Sequence, residues 1–279
     1  MTMTNHSILI TGCSSGIGEH AAYALKKRGY RVFASARKQQ DVDKLKTNGL
    51  ESVLLDVTNP DSIQQALQII LSMNDGKLDA LFNNAGFLQT GAIEDLTLQM
   101  NHEQFETNVF GPMELTRQVL PIMRKQGHGR IIQNSSILGI VALPYCGAYN
   151  ASKFALEGFS NTLRLELRNT NIHVSIINPG PIQSKLRDNA YVLHQENREA
   201  LAQSVHQKIY QSLEKSYFGR EKKDKLSQSP DAVVKQLIHA LESKHPRAHY
   251  FVGLPSKGLS LCRRLFPDCV LDWMLSRVR

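Results

Sequence analysis

Ser7-Ile8-Leu9-Ile10-Thr11-Gly12-Cys13-Ser14-Ser15-Gly16-Ile17-Gly18 is the stretch on which the fold turns. A short, almost wholly apolar run enters a glycine-rich turn, and the helical pattern Ile17–Arg28 follows at once. A strand with no polar face needs cover on both sides, which points to a parallel sheet. The turn reads T-G-x-x-x-G-x-G. Gly12 permits the bend, Gly16 lets backbone approach a pyrophosphate, and Gly18 lets the helix sit close to the strand. The helix start then offers unpaired N–H groups and partial positive charge to phosphate. Ser14, Ser15 and Ile17 complete the residues that such a turn would bring to a dinucleotide.

Outward from that stretch, strands and helices alternate. Arg31–Ala36, Ser52–Leu55, Leu78–Asn83, Gly129–Ser135 and His173–Asn178 read as strands, with Tyr250-Phe251-Val252 as a last one. Helical periodicity marks a polar segment from about Asp41, then Ile63–Met73, Leu115–Lys125 and Ala151–Leu167. Asp61 and Ser62 after Pro60 serve as start signals. The alternation predicts a Rossmann-type doubly wound α/β fold, a parallel sheet of about seven strands with helices on both faces. Residues 1–279 read as one domain. Lys185–Ser229 is polar, rich in Gln and Lys, and interrupts the rhythm.

Composition excludes other classes. The chain of 279 residues is 42% hydrophobic, enough for a sizeable core. Cys13, Cys146, Cys262 and Cys269 are scattered, with no C-x-x-C pair and no histidine spacing for zinc. Reduced thiols in a cytoplasmic protein, with no metal, are expected. No apolar run approaches the ~20 residues that cross a bilayer. The polar start Met1–His6 does not read as a signal peptide. The net charge of +8 is spread along the chain, denser only at Arg220–Lys225 and in the C-terminal tail. That pattern reads as a solvated basic surface, with no nucleic-acid motif behind it.

Two further constellations carry chemistry. Where a ribose-binding acid would close the second strand the chain has Ser35-Ala36-Arg37, and the Arg37 fork suits a 2′-phosphate, which favours NADP over NAD. Asp56, at the next strand end, is a candidate acceptor for the adenine amino group. Tyr149 and Lys153, four positions apart, project from one helix face, where an ammonium lowers a phenol from its usual value near ~10. Ser136 lies just past a strand end and offers a hydroxyl to a substrate oxygen. Its neighbour Ser135 stands as the second choice. Asn83-Asn84-Ala85-Gly86 closes the fourth strand, and Asn108 falls within the helix after it.

In order and spacing, Thr11–Gly18, Asn83–Gly86, Asn108, Ser136, Tyr149/Lys153 and Pro179-Gly180 resemble the short-chain dehydrogenase/reductase family over residues 7 to 184. The resemblance implies that Tyr149 is the general acid/base and that Lys153 binds the nicotinamide ribose. It assigns Ser136 to the substrate oxygen and the Asn108 main chain to a proton-relay water. It gives Asn84, Ala85, Gly86, Pro179, Gly180 and Ile182 to the cofactor, with Ser184 in place of the usual threonine. Residues 185–229 would form a lid over the substrate. Phe87–Ile93, Leu138 and Leu143–Tyr145 would face it, with Leu138 and Tyr145 as contacts beside Ser136 and Tyr149. An apolar aldehyde, retinoid or steroid-like ketone is the expected substrate. The alternatives are a ketoacyl reductase served by an acyl carrier, or a non-catalytic NADP-sensing regulator. Residues 254–279 form a basic amphipathic extension that would cover the substrate mouth, a subunit interface or a membrane. A homodimer or homotetramer is expected, built on the apolar side of Leu115–Leu120 and the Tyr149 helix.

Overall fold

The computed structural model describes residues 6–197, 201, 203–216 and 226–277. The basic patch Arg220–Lys225, part of the segment 185–229 expected to be a lid, and the last two residues of the tail lie outside them.

Seven strands form one parallel sheet: β1 (Ser7–Ile10), β2 (Arg31–Ala36), β3 (Glu51–Leu54), β4 (Ala80–Asn83), β5 (Gly129–Asn134), β6 (Ile172–Pro179) and β7 (His249–Val252). Their order is β3-β2-β1-β4-β5-β6-β7. The chain steps outward from β1 to β3, then returns to pair β4 with the free side of β1, Ile10 standing against both Ala34 and Phe82. This reversal opens a crevice at the C-terminal ends of β1 and β4, where ligands of open α/β sheets bind.

Alternation within each strand explains the two cores. Ile8, Ile10, Phe82 and Ile132 point to one face, under α1 (Gly16–Lys27), α2 (Gln39–Thr47) and the later helix Asp231–Glu242. Leu9, Leu81 and Ile131 point to the other, under α3 (Pro60–Met73) and, further along the chain, Gly111–Gln126. Both faces are therefore apolar, as the first strand implies. The cap of α3 is Asn59, whose side chain accepts from the Asp61 and Ser62 N–H groups. Asp61 and Ser62 are the capped residues, and Pro60 sits in the first turn, where its missing N–H costs nothing.

Two helices escaped the sequence reading, Asp231–Glu242 and the one that begins at Leu98. α4 (Leu98–Phe105) passes through a π-helical segment, Glu106–Phe110, into α5 (Gly111–Gln126). Asn108 thus stands in a wide turn rather than a regular helix. α6 (Gly147–Glu166) carries Tyr149 and Lys153. The segment after β6 holds α7 (Leu186–Glu196) and α8 (Gln207–Ser216). α9 (Asp231–Glu242) precedes β7, and α10 (Leu254–Leu265) and α11 (Asp268–Leu275) form the tail.

Leu115 and Val119 of the expected interface stripe are fully buried in the protomer's own core, because they pack on the sheet, whereas Phe154 and Phe159 on the Tyr149 helix are exposed. No helix among the described residues is long and apolar enough to cross a membrane. Gly158 lies exposed inside α6, and a Cβ there would meet nothing within 4 Å. Gly158→Ala is expected to stabilise the protein by about 0.5–1 kcal/mol, read from urea unfolding, since only helix entropy changes.

Candidate active site

The glycine turn is held by the end of the neighbouring strand. The Thr11 hydroxyl accepts from the Asn84 and Ala85 N–H groups, each at 2.9 Å, and Asn84 Nδ2 donates back to the Thr11 carbonyl at 2.8 Å. Asn84 Oδ1 in turn accepts from Asn134 Nδ2 at 2.9 Å. The Asn84 amide is therefore committed to bracing the turn, and Thr11 is the partner that sequence reasoning left without a role. Gly12 and Gly16 both adopt positive φ, +71° and +63°. A Cβ on Gly12 would stand 2.9 Å from Ala85 Cα, and one on Gly16 would stand 3.2 Å from Ser184 Cβ. Ser15 is the N-cap of α1, and its side chain makes no capping bond. The first N–H groups of α1 thus face the cleft, a cradle that fits a pyrophosphate.

Cys13, beside this turn, has no exposed surface. Its thiol donates to the Ile10 carbonyl, and burial pushes its pKa up to about 12. Burial also raises Cys146, to about 11. Both are packing residues. Arg37 is exposed on the cleft wall. Asp56, on the same wall, accepts from the Thr58 N–H and hydroxyl through one oxygen.

Deeper in the cleft the second constellation assembles. Tyr149 is 7% exposed and packs with Leu88, Cys146, Ala190, Leu138 and Leu186. Lys153 Nζ lies 5.7 Å from the Tyr149 ring centroid and donates to the Asn134 carbonyl at 2.8 Å. Burial lowers its pKa from 10.5 to about 8, against the opposing pull of Glu157. The Ser136 hydroxyl accepts from the Leu138 N–H at 3.1 Å, capping the short turn Ile137–Gly139, so its own proton is left to donate. Ser135 Oγ and Glu157 Cγ instead lie together beside Gly139. Asn108 is fully buried. Its side chain exchanges two hydrogen bonds with the Phe87 backbone, at 3.1 and 3.0 Å, and donates to Ser152 at 3.2 Å. With the side chain so occupied, only its main chain in the π-helical turn remains for other partners.

Pro179 and Gly180 close β6, and the Gly180 N–H donates to the Val252 carbonyl. Ile182 is bridged to Gln228 at the mouth of the segment 185–229, and Ser184 accepts from the Leu186 N–H. Of Phe87–Ile93, Phe87, Leu88 and Thr90 line the cleft, whereas Ile93 is 78% exposed and stands over Gly147. Ile93–Asp95 and Ala92 instead receive residues 204–210. The Tyr210 hydroxyl donates to Asp95 and accepts from the Ala92 N–H, Ser204 donates to Asp95 at 2.6 Å, and His206 meets Glu94 at 2.6 Å. Tyr145, held at φ 62°, lines the cleft and packs edge-on against Tyr210. This latch had no signal in the sequence, because its members are far apart in the chain. The tail folds back: Leu271 and Leu275 pack on Ile137 and Val141, and Leu275 and Ser276 reach the cleft.

These residues line one continuous cleft of about 2590 Å³, running from Arg37 past the glycine turn to Tyr149 and the tail. A doubly wound sheet, a phosphate cradle at its switch point and a tyrosine–lysine pair on the adjoining helix define a dinucleotide-dependent oxidoreductase fold. Residues 6–192 match the family model for short chain dehydrogenases, and the chain belongs to that family. It is 37% identical over 269 residues to the uncharacterized oxidoreductase YbbO of Escherichia coli K12, covering 96% of this chain and 93% of that one. It is 34% identical over 280 residues to 17-beta-hydroxysteroid dehydrogenase type 6 of Rattus norvegicus, covering 96% and 87%. A solved short chain dehydrogenase/reductase from Burkholderia phymatum in complex with NAD superposes with a TM-score of 0.79 at 25% identity, covering 99% of this chain and 97% of that one.

Proposed function

We propose that the protein is an NADP(H)-dependent carbonyl reductase or alcohol dehydrogenase acting on an apolar aldehyde, retinoid or steroid-like ketone, with Tyr149 as general acid/base. The observation that carries this reading is that Tyr149, the free proton of Ser136 and the open N-terminus of α1 face one cleft. A nicotinamide bound there supplies the hydride. Tyr149 gives its proton to the substrate oxygen, Ser136 holds that oxygen by donating to it, and Lys153 steadies the phenolate left behind. The apolar wall from Leu88, Leu138 and Ala190, closed by α11, excludes water and suits a lipophilic carbonyl. A chain acting in the cytoplasm as a homo-oligomer accords with this reading.

Turnover with NADPH and with NADH across aldehydes, retinoids and steroid ketones tests it. Absence of carbonyl-dependent NADPH oxidation throughout would leave only a binding role. Arg37→Ala is expected to raise the KM for NADPH by about tenfold to a hundredfold and leave that for NADH unchanged, because one charge-assisted phosphate contact is lost. Equal effects on both cofactors would place the 2′-phosphate elsewhere.

A further inference from the structure

Behind Lys153, away from Tyr149, lies a buried carboxylate that the mechanism above does not use. Glu157 follows Lys153 by one turn of α6 and is 7% exposed. Asn178 Nδ2 on β6 donates to its Oε1 at 2.5 Å, and the same amide donates to the Ser136 carbonyl at 3.1 Å. His249 on β7 brings Nδ1 to 3.5 Å from Oε2 and to 3.2 Å from Asn178 Oδ1, and the Ser135 side chain lies close by. Gly139 makes room: a Cβ there would stand 3.0 Å from Glu157 Cγ and 2.8 Å from the Ser135 hydroxyl. A glutamate on a helix is by default a solvated residue, so a buried carboxylate held by Asn178 on β6 and flanked by His249 on β7 calls for a reason.

Lys153 supplies it. Its ammonium sits 5% exposed and donates to a neutral acceptor, the Asn134 carbonyl. Burial favours the neutral amine, and a neutral amine would no longer steady a phenolate. We propose that Glu157, held by Asn178 and His249, is the positioning residue whose negative charge keeps Lys153 an ammonium in its buried seat. The proposal rests on the reading of Tyr149 and Lys153 given above. The groups facing Glu157 fit an ionised carboxylate. Lys153 lies on its own helix, Asn178 on β6 and His249 on β7. His249 is held below its ordinary pKa by burial and by Arg164 and Arg264, so it is a neutral donor at working pH and leaves the carboxylate its charge. Burial is the largest influence and holds Glu157 above its ordinary pKa, while the Asn178 bond and the Lys153 charge act to keep it ionised.

The test is the pH profile of kcat/KM for reduction of 4-nitrobenzaldehyde at saturating NADPH, in the full-length wild type, Glu157→Gln and His249→Phe. Wild-type activity is expected to fall as pH rises through about 8, where Lys153 loses its proton. Glu157→Gln keeps the acceptor for Asn178 and removes the charge. Its alkaline limb should move down by about one pH unit, giving roughly tenfold less activity than wild type at alkaline pH, about half at pH 7 and near-equal activity at about pH 6 and below. His249→Phe keeps a ring stacked on Phe251, now 5.9 Å away, and removes one donor; its limb should move the same way by less. If Glu157→Gln does not fold, His249→Phe carries the test. Limbs that superimpose on wild type, with rates lowered equally at every pH, would overturn the proposal and make Glu157 a packing group. A wild type with no reductase activity would overturn the underlying reading instead, before any variant is made.

Discussion

Tyr149→Phe is expected to lower kcat by at least about a thousandfold, or ~4 kcal/mol of barrier, while the Kd for NADPH stays within about twofold of wild type. The ring is what Leu88, Leu138, Leu186 and Ala190 pack against, and phenylalanine retains it. Lys153 keeps its bond to the Asn134 carbonyl, and the α1 cradle lies outside the substitution. What disappears is the one proton positioned for the substrate oxygen, since the Ser136 hydroxyl can donate a hydrogen bond but lacks the ammonium that makes a phenol readily acidic. Stability should fall by no more than about 1 kcal/mol, the net worth of one hydrogen bond. The measurement is single-turnover reduction with a fluorescence titration of NADPH beside it. Turnover near wild type would remove Tyr149 from the chemistry, and loss of NADPH binding would make it a cofactor ligand first.

The sheet was legible because its strands are buried on both faces: runs such as Ile8-Leu9-Ile10 need no partner to declare themselves. The motif residues were legible because turn glycines and a helical i, i+4 pair are local patterns. α4 was not, because its buried positions are Met100 and Gln104 while Leu98 is 73% exposed, so no apolar stripe marks it. Gln104 is buried as a clamp, accepting from the Gln89 N–H and donating to the Phe87 carbonyl, which polarity alone conceals. The π-helical turn at Asn108 has no period to read. The tail carries two apolar stripes, and periodicity does not rank them. The structure buries Leu271 and Leu275 and leaves Leu261, Leu265 and Trp273 exposed. Asn84 read as a cofactor residue through the resemblance carried by Asn83–Gly86, and its bracing bonds to Thr11 and Asn134 emerge only once β1, β4 and β5 are adjacent.

Gly18→Ala separates binding from chemistry in the opposite sense to Tyr149→Phe. A Cβ at Gly18 would stand 2.3 Å from the Gly12 carbonyl oxygen, 2.6 Å from Asn84 Nδ2 and 2.9 Å from the Gly12 carbonyl carbon. None of these can yield cheaply. The first and third are backbone, and Asn84 is tied to Thr11, which is itself tied back to the Asn84 and Ala85 N–H groups. The α1 N-terminus must therefore shift away from the turn, withdrawing the N–H groups from the pyrophosphate. NADPH Kd is expected to rise by about a hundredfold, ~2.8 kcal/mol, and unfolding free energy to fall by about 1–3 kcal/mol as the turn bonds strain. Fluorescence titration and urea unfolding read the two effects. Gly158→Ala, where the same methyl meets open space, is the control for the substitution itself. Wild-type affinity in Gly18→Ala would mean that the cofactor phosphates do not rest on this turn, whatever Tyr149 does.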